Sequence, residues 1–539
     1  MLRKCDPTGY LGFYSTLIFS LIYLFYTLGW SFISGHSIYW AAQNPEFNQH
    51  LSGVNLYIAS SWQFPLLAFD MLHYPSGTRV TFTDSIPIYA FLLKIFLPRN
   101  IEFINPLGYW VALNFICQGI AAWWITKELR VKSWMFLAFL MIAFLTYPAW
   151  MDRLRQIALM SHWLILFAIA LYIRGCRQQL IPRWGWTALI ASAFYIHIYL
   201  FAMVVSIFVA AIFDAKQCVT RRYFISILLP FLVLAISLFL FLLPLPPAVH
   251  VGGHLGYPMD LLAPFYGGNL IELQASIPPL FTDINYNYLG LSVIIMLLWV
   301  VFSHRFKKVD TISNHPALFI ILMGFFIYSL SDKIYFGGQL VAVASHSKFL
   351  DPITTQFRAA ERFFWPVGYV IVVFSLYKLY KQLKPRNFTI IIALLLIIQC
   401  IDISHYYEKL RLNSSRQVNP VLDYAALDNV LDKQIKYVYL YPKFLCNKNS
   451  GRLPYPGLII IPLMRYAAEH QLTLNTGYIA RQGSNCDNTA EEIAQSNSTE
   501  SAYIFSKFDY KNLNQVFELF QEKANLVCEN LETVYVCHF

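Results

Sequence analysis

Long apolar runs separated by short polar loops fill residues 1–404 of the chain. Most of these runs match the ~20 apolar residues that a helix needs to cross a bilayer. They predict membrane-spanning helices at 11–33, 107–126, 133–150, 156–173, 223–243, 288–303, 316–331, 363–380 and 388–404. A shorter run, 86–97, predicts a re-entrant or interfacial helix in the first polar segment. The pattern therefore predicts an α-helical polytopic membrane protein.

One apolar run, 184–213, has two interpretations. A single tilted helix would cover it, or two short helices would meet near His197. The charges favour the second, since Lys and Arg beside spans stay on the cytoplasmic side. Three Lys or Arg occur in each of five short loops, at 127–132, 174–183, 214–222, 304–315 and 381–387. Two short helices, which give about eleven spans, keep all five loops and the N-terminus cytoplasmic.

Three long loops then face the outside, together with the C-terminal residues. The loops cover 34–106, 244–287 and 332–362, and the second of them contains no Lys or Arg. The chain divides into a transmembrane domain, 1–404, and an external domain, 405–539. Because the large polar segments lie outside, we expect the chemistry there.

The C-terminal domain alternates between strand and helix patterns. Strands are predicted at Lys436–Leu440, Ala502–Ser506 and Thr533–Cys537, and helices at Leu458–His470 and Asn512–Ala524. This alternation favours a small α/β domain. Its four cysteines are Cys446, Cys486, Cys528 and Cys537. An even set in an oxidising compartment predicts two disulfides of undetermined connectivity, and the alternative is four free thiols.

Composition supports the membrane class. The chain is 57% hydrophobic and 13% charged, whereas soluble domains carry roughly 25% charged residues. The formal net charge of +10 comes largely from loops beside spans, which is typical of membrane topology and contact with anionic lipid. We therefore expect the lipid bilayer as a partner, and no nucleic acid.

The first external loop carries candidate acid–base groups. Glu46 and His50 are four residues apart, so on a helix they would share a face. Such a pair would bind a divalent cation (Mg or Mn) or position a hydroxyl for deprotonation, and the alternative is a solvated helical face. Asp84 precedes the short apolar run 86–97. It is either a second catalytic carboxylate or the N-cap of a helix with Pro87 in its first turn.

The other external loops carry arginines. Arg358 and Arg362 are also four residues apart and would share a helical face, and Arg155 lies in a short external turn. Cations on the outer side oppose the usual topology trend. A phosphate ligand would explain them, because guanidinium groups match phosphate oxygens bidentately. The alternatives are a pair between Arg358 and Glu361, or headgroup contact.

Two histidines lie within the apolar runs. His162 is near the external end of its predicted helix, and His197 is near the proposed break. Ionisable groups at membrane depth usually face a cavity or a partner. Both are therefore candidate phosphate-site residues, with a hydrogen-bonded structural role as the alternative.

External carboxylates and arginines together suit the transfer of a sugar from a lipid-phosphate carrier. A carboxylate would deprotonate the acceptor hydroxyl, and fixed cations would stabilise the departing phosphate. The alternative is a non-enzymatic transporter or assembly factor for lipid-linked glycans. Transporters often show paired repeats and interrupted helices at mid-membrane, and the sequence shows no internal repeat.

The order of parts resembles the GT-C superfamily of polytopic glycosyltransferases. Several stretches are similar to an uncharacterised bacterial membrane-protein family of that architecture: Glu46–His50, Ser61–Pro65, Tyr74–Gly77, Phe82–Pro87, Ser161–Trp163, His197–Leu200 and Phe357–Pro366. The resemblance covers most of residues 1–405 and only weakly the tail.

The resemblance implies an inverting glycosyltransferase of the bacterial inner membrane with a polyprenyl-phosphate-sugar donor and a glycan, lipid or protein acceptor. In GT-C enzymes an acidic residue of the first external loop is the catalytic or metal-binding group. Glu46 is the best match and Asp84 the second. The family pattern would have aspartate followed by proline where this chain has Glu46 and Phe47.

Overall fold

A computed structural model describes residues 6–42, 46–247, 257–270, 287–303, 314–345, 348–413, 421–446, 457–480, 482–521 and 525–539. Much of the predicted loop 244–287 and most of the cationic loop 304–315 lie outside the described residues.

Helices dominate the described chain. They are α1 (Tyr10–Thr27), α2 (Gly29–Ile33), α3 (Phe47–Ala59), α4 (Pro87–Phe96), α5 (Leu107–Glu128), α6 (Trp134–Leu145), α7 (Pro148–Met151), α8 (Trp163–Gln178), α9 (Arg183–Ile196), α10 (Ile198–Asp214), α11 (Arg221–Phe241), α12 (Leu291–Phe302), α13 (Pro316–Ser329), α14 (Asp351–Gln356), α15 (Phe364–Gln382), α16 (Pro385–Asp402), α17 (Ser404–Asn413), α18 (Tyr424–Val430), α19 (Gly457–His470), α20 (Thr489–Gln495) and α21 (Leu513–Phe517).

The described residues also form nine strands. They are β1 (Ala68–Phe69), β2 (Thr78–Arg79), β3 (Lys333–Phe336), β4 (Gln339–Val343), β5 (Tyr437–Tyr441), β6 (Thr473–Leu474), β7 (Ser501–Ser506), β8 (Val527–Asn530) and β9 (Val534–His538). Two pairs, β1 with β2 and β3 with β4, are antiparallel hairpins, and the C-terminal strands form one five-stranded sheet.

Several helices are long and apolar enough to cross a membrane. Among the described residues there are five: Tyr10–Thr27, Ile157–Gln178, Arg221–Phe241, Ala360–Gln382 and Pro385–Asp402. The helices Trp134–Leu145 and Pro148–Arg155, bent by 41°, make a sixth if they are counted as one span. The molecule is compatible with a membrane protein, and the larger number of spans inferred from charge stays a prediction.

The ambiguous run 184–213 forms two helices, as the charges predicted. α9 ends at Ile196 and α10 begins at Ile198, with His197 between them in an extended conformation (φ −163°, ψ 131°). His197 Nδ1 accepts a hydrogen bond from the Tyr199 N–H at 3.2 Å. The break is therefore stabilised locally, because the imidazole caps one of the unpaired N–H groups at the start of α10.

The chain forms two compact units. The helical unit comprises Met1–Ile33, Gly108–Leu234 and Val251–Ser414. The sheet unit comprises Ser34–Leu107, Ala235–His250 and Ser415–Phe539. The first long loop and the C-terminal segment, which sequence analysis assigned to different domains, thus belong to one unit.

The sheet has the order β6–β5–β7–β9–β8. β5 runs parallel to β6 and β7, and β9 runs antiparallel to β7 and β8. The three predicted strands are confirmed as β5, β7 and β9, and the predicted helix Leu458–His470 as α19. The predicted helix Asn512–Ala524 is described only as the short α21, and 522–524 lie outside the described residues.

The first loop packs on the C-terminal segment through buried polar side chains. Arg465 of α19 donates from Nη1 to Asn48 Oδ1 at 3.0 Å. Gln49 Nε2 donates to the Tyr478 carbonyl at 3.0 Å. Asn48 and Gln49 are almost fully buried, so these bonds satisfy groups that would otherwise be costly to bury.

The four tail cysteines form two pairs at disulfide distance, as predicted. Cys446 pairs with Cys486, 40 residues further along the chain, with a Cα–Cα distance of 5.3 Å. Cys528 pairs with Cys537 across the neighbouring strands β8 and β9. Each pair therefore joins two segments of the sheet unit.

Candidate functional site

Two arginines from distant segments converge on one side chain in the helical unit. Arg153 lies in the 3-10 turn Asp152–Arg155, and Arg362 lies in the 3-10 turn Ala360–Phe363. Arg153 Nη1 and Arg362 Nη2 each donate to Gln156 Oε1 at 3.1 Å. Both arginine side chains are mostly buried. We call Arg153, Gln156, Glu361 and Arg362 the arginine cluster.

Two carboxylates lie beside these two guanidinium groups. Asp152 forms an ion pair with Arg153. The almost fully buried Glu361 carboxylate lies 3.7 Å from Arg362 Nε. Arg153 Nε, Arg362 Nε and Glu361 Oε2 have no hydrogen-bond partner among the described residues. Buried polar atoms are rarely left without a partner, so these three atoms mark an unusual polar environment in the helical unit.

Aromatic rings line the cluster. The Arg362 guanidinium carbon lies 5.0 Å from the centre of the Tyr199 ring, and that of Arg153 lies 5.9 Å from the Trp365 ring. Both are cation–π contacts. They help to hold both guanidinium groups in place.

His162 contacts Trp365, one of these aromatic residues, and its described contacts correspond to a structural role. Its ring is 4.2 Å from Trp365, and its Nδ1 is 3.0 Å from the Tyr369 hydroxyl. The side chain is fully buried. The described contacts therefore support a role in fixing Trp365, which in turn contacts Arg153.

Two of the sequence-predicted arginines lie at the surface. Arg155 and Arg358 are exposed. The predicted helical face shared by Arg358 and Arg362 is wrong, because 357–359 is irregular backbone. This link is fixed by the Ala359 N–H, which donates to the Tyr199 hydroxyl at 2.9 Å. Arg358 still lies close enough to Tyr199 to interact electrostatically.

His197 is connected to the arginine cluster along the chain, through Tyr199. It caps the first turn of α10, which carries Tyr199 two residues later. The described hydrogen bond thus corresponds to the structural alternative for this histidine. Sequence analysis did not select Glu361, Tyr199 and Trp365 for the site, and the Phe357–Pro366 stretch is the signal that could have found two of them.

A second candidate region lies in the sheet unit, at the turn around Asp84. Asp84 ends the 3-10 turn Val80–Thr83 with φ 52°, and Ile86 has φ 51°. The prediction that Asp84 caps the following helix is wrong, since Ile86 occupies the cap position and Pro87 begins α4. Left-handed backbone is unfavourable for a β-branched residue such as Ile86. Strain of this kind, about 1–3 kcal/mol per residue, is concentrated at functional sites.

The turn is held by close packing against α3. Ser85 Oγ donates to the His50 carbonyl at 2.8 Å and lies 2.7 Å from Thr83 Oγ1. A Cβ at Gly53 would lie 2.2 Å from Ser85 Oγ and 2.3 Å from Thr83 Oγ1. Only glycine therefore lets α3 approach the turn this closely.

His50 is a neutral base next to Asp84. It is almost fully buried and forms a hydrogen bond with the Asp84 backbone. Burial lowers the pKa of His50 to about 4, because desolvation disfavours the imidazolium. Its Nδ1 has no hydrogen-bond partner in the described part of the chain. At neutral pH this residue is uncharged, and its Nδ1 can accept a hydrogen bond if the proton is on Nε2.

Glu46 lies at the N-cap position of α3 with helical backbone angles (φ −53°, ψ −26°), four residues before His50. Its carbonyl accepts a hydrogen bond from the Gln49 N–H at 3.0 Å. Among the described residues no three His, Cys, Asp or Glu side chains lie close enough to hold a metal ion. Glu46 and His50 are thus not part of a larger set of ligands there.

The family comparison covers nearly the whole chain. Residues 17–404 match the model described as "Domain of unknown function (DUF6311)", and residues 426–539 match the one described as "DUF6311 C-terminal domain". The chain belongs to this family, whose description assigns no activity. The gap between the two matches contains the domain boundary inferred from composition. A search of curated proteins finds no match.

Proposed function

We propose that this chain is a GT-C-like membrane glycosyltransferase that moves a sugar from a polyprenyl-phosphate carrier to an acceptor on the external face of the bacterial inner membrane. The observation that carries the proposal is the arginine cluster. Two mostly buried guanidinium groups share one amide oxygen, their Nε atoms have no hydrogen-bond partner among the described residues, and two exposed arginines lie in the same segments. This arrangement suits the phosphate of a lipid carrier.

The proposed reaction is a single displacement of the lipid phosphate at the anomeric carbon of the sugar. A carboxylate, Glu46 or Asp84, takes the proton of the acceptor hydroxyl as its oxygen bonds to the anomeric carbon. The bond from that carbon to the phosphate oxygen breaks, and the lipid phosphate leaves with the electron pair. The transition state is oxocarbenium-like. Fixed cations would stabilise the charge that develops on the phosphate, and one displacement inverts the configuration.

The disulfides support an external position for the C-terminal domain, because such bonds persist in oxidising compartments. The full topology proposed here has about eleven spans, with α5 and the shorter helices α9, α10, α12 and α13 included. In that topology the arginine cluster faces outwards, at the ends of α7, α10 and α15.

The experiment uses the full chain in nanodiscs with a radiolabelled polyprenyl-phosphate sugar and a membrane-extract acceptor. The expected result is release of free lipid phosphate only when the acceptor is present. Glu46→Gln should abolish this release while the protein remains folded by thermal unfolding. Asp84→Asn tests the second carboxylate in the same way.

Donor that crosses the membrane of sealed vesicles with its sugar–phosphate bond intact would indicate a transporter, and would contradict the proposed transfer. Neither cleavage nor translocation would point to an assembly factor. Unchanged release in both carboxylate variants would exclude Glu46 and Asp84 as the base.

A further inference from the structure

A two-stranded hairpin in the helical unit exposes an unusually apolar strand. β3 pairs antiparallel with β4, with Lys333 opposite Val343. Every residue of β4 is exposed, and Leu340, Val341 and Val343 expose 51, 57 and 65% of their surface. Hydrophobic surface of this kind marks a site of interaction with protein or membrane. An isolated two-stranded hairpin is also marginally stable in water.

Hydrogen bonds with Asp260 and Leu261 nevertheless fix the turn end of the hairpin. The buried Asp260 carboxylate accepts hydrogen bonds from the Gly337 N–H at 3.1 Å and the Gly338 N–H at 2.7 Å. The Leu261 N–H donates to the Tyr335 carbonyl at 2.9 Å. Both turn glycines have positive φ, 58° and 81°, which glycine adopts without steric cost. The hairpin is therefore a fixed projection of this unit.

The strand pairing places the exposed residues near the end of an apolar helix. α13 ends at Ser329, and β3 begins four residues later at Lys333. Four residues span at most ~14 Å, and Val343 pairs with Lys333. Val343 and its neighbours therefore lie close to the end of α13. That helix also exposes apolar side chains, Ile320 and Ile327 most of all.

The charge pattern favours lipid as the occupant of this surface. β4 contains no charged residue, and the charges of the hairpin, Asp332 and Lys333, lie at its base next to the helix. The polar interfacial layer on each side of a bilayer is roughly 5–7 Å thick. Lys333 lies within ~14 Å of the end of α13, so its partner Val343 brings one end of this uncharged apolar strand close to that layer if α13 spans the membrane.

We propose that this hairpin lies in the external interface of the bilayer, with Leu340, Val341 and Val343 in contact with lipid. The inference rests on the proposed function in one respect, namely that α13 is a membrane span. It also deepens that function. The loop that contains the hairpin continues to Arg358 and Arg362, so an anchored hairpin holds this segment near the layer where lipid phosphates lie.

The test measures contact with lipid directly. In the full chain with Cys5, Cys117, Cys176, Cys218 and Cys400 replaced by serine, a single cysteine is introduced by Val341→Cys or Val343→Cys. It is labelled with an environment-sensitive fluorophore, and the protein is placed in nanodiscs with or without brominated lipid. Both labels should lose most of their fluorescence in brominated lipid.

Two control positions calibrate the result. Ile320→Cys, on the exposed side of α13, should also be quenched. Glu491→Cys, on an exposed position of the sheet unit, should not.

The other outcomes overturn the proposal in distinguishable ways. Labels at 341 and 343 that stay bright and water-accessible beside a quenched 320 label would exclude the hairpin from the interface. Labels shielded from water but not quenched by lipid would show a protein on this surface instead. An unquenched 320 label would remove the premise that α13 is a span, and with it the proposed topology. Sugar-transfer activity is assayed independently of these labels.

Discussion

The side chains of Arg153 and Arg362 are mostly buried and held by several contacts. Arg362 lies beside the Tyr199 ring and Arg153 beside the Trp365 ring. Both donate to the same Gln156 oxygen. If the cluster binds the phosphate proposed above, little conformational entropy would be lost on binding, because the two side chains are already held in place.

Arg362→Ala should weaken donor binding. A hydrogen bond to a charged group contributes about 1.5–3 kcal/mol, so the KM for the donor should rise roughly ten- to a hundredfold. Steady-state kinetics with the polyprenyl-phosphate sugar measures this. Arg386→Ala is the matched control, because Arg386 is an exposed arginine at the start of α16 in a predicted cytoplasmic loop. An equal effect of both variants would contradict specific phosphate binding at Arg362.

His50 should make the stability of the sheet unit pH-dependent. Its pKa is about 4 in the folded protein and about 6.5 when unfolded. Between these values the unfolded chain binds more protons, so stability is highest above pH 6.5 and falls as the pH drops towards 4. The full loss is about 3 kcal/mol.

His50→Gln should flatten this dependence in denaturant unfolding between pH 4 and 7. His36→Gln, at an exposed histidine, serves as the control and should leave the slope unchanged. A wild-type slope in His50→Gln would show that other groups cause the acid sensitivity.

Sequence analysis located these sites only in part. Arg362 and Arg358 stood out because cations on the outer side are unusual, and Asp84 because it precedes an apolar run. Gln156 is uncharged and gave no signal, and Tyr199 lies in the family-like stretch His197–Leu200 but is one aromatic residue among many. Burial and convergence across 206 residues of sequence depend on tertiary packing, which local patterns do not contain.

Among the elements, the break between α9 and α10 has the clearest local cause. His197 takes an extended conformation, and its imidazole replaces a missing backbone partner for the Tyr199 N–H. A helix start without such a cap typically loses about 0.5–2 kcal/mol. Because Tyr199 contacts both Arg362 and the 357–359 link, this cap also bears on the arginine cluster.

His197→Ala should therefore loosen the first turn of α10. We expect faster hydrogen exchange at the Tyr199 amide and a lower unfolding temperature in detergent. His197→Asn should behave like the wild type, because asparagine is a good N-cap residue. If both variants exchange alike, the imidazole does not cap this helix.

The periodic elements were largely predictable because their signals are local. Apolar runs placed most of the long apolar helices, and strand patterns placed β5, β7 and β9, to within a few residues. β6 has two residues and β8 is mostly exposed, so neither shows a strand pattern. The cap of α4 was misplaced because the turn at Asp84 and Ile86 has left-handed backbone, which tertiary packing against α3 imposes.

At the scale of the whole molecule, the sheet unit joins segments that are far apart in sequence. Arg465 connects α19 to Asn48 and to the Trp40 carbonyl, at 3.0 and 3.1 Å. It also lies 4.3 Å above the Phe103 ring. The C-terminal segment thereby positions the residues between Glu46 and His50, a role that composition did not indicate.

Arg465→Ala should release this part of the first loop. The expected result is increased hydrogen exchange over Phe47–Ala59, with the amides of β5 and β7 unchanged. Lys436→Ala is the control, since its ion pair with Glu500 is largely exposed and such pairs contribute little. Unchanged exchange in α3 would show that the other contacts suffice to hold it.

The same pairing has a consequence for biosynthesis. Arg465 leaves the ribosome 417 residues after Asn48. At translation rates of about 5–20 residues per second, this delay is roughly 20 to 80 s. During that interval the amide groups of Asn48 and Gln49 lack their later partners, so the newly made segment has to stay hydrated or be held by a chaperone until the chain is finished.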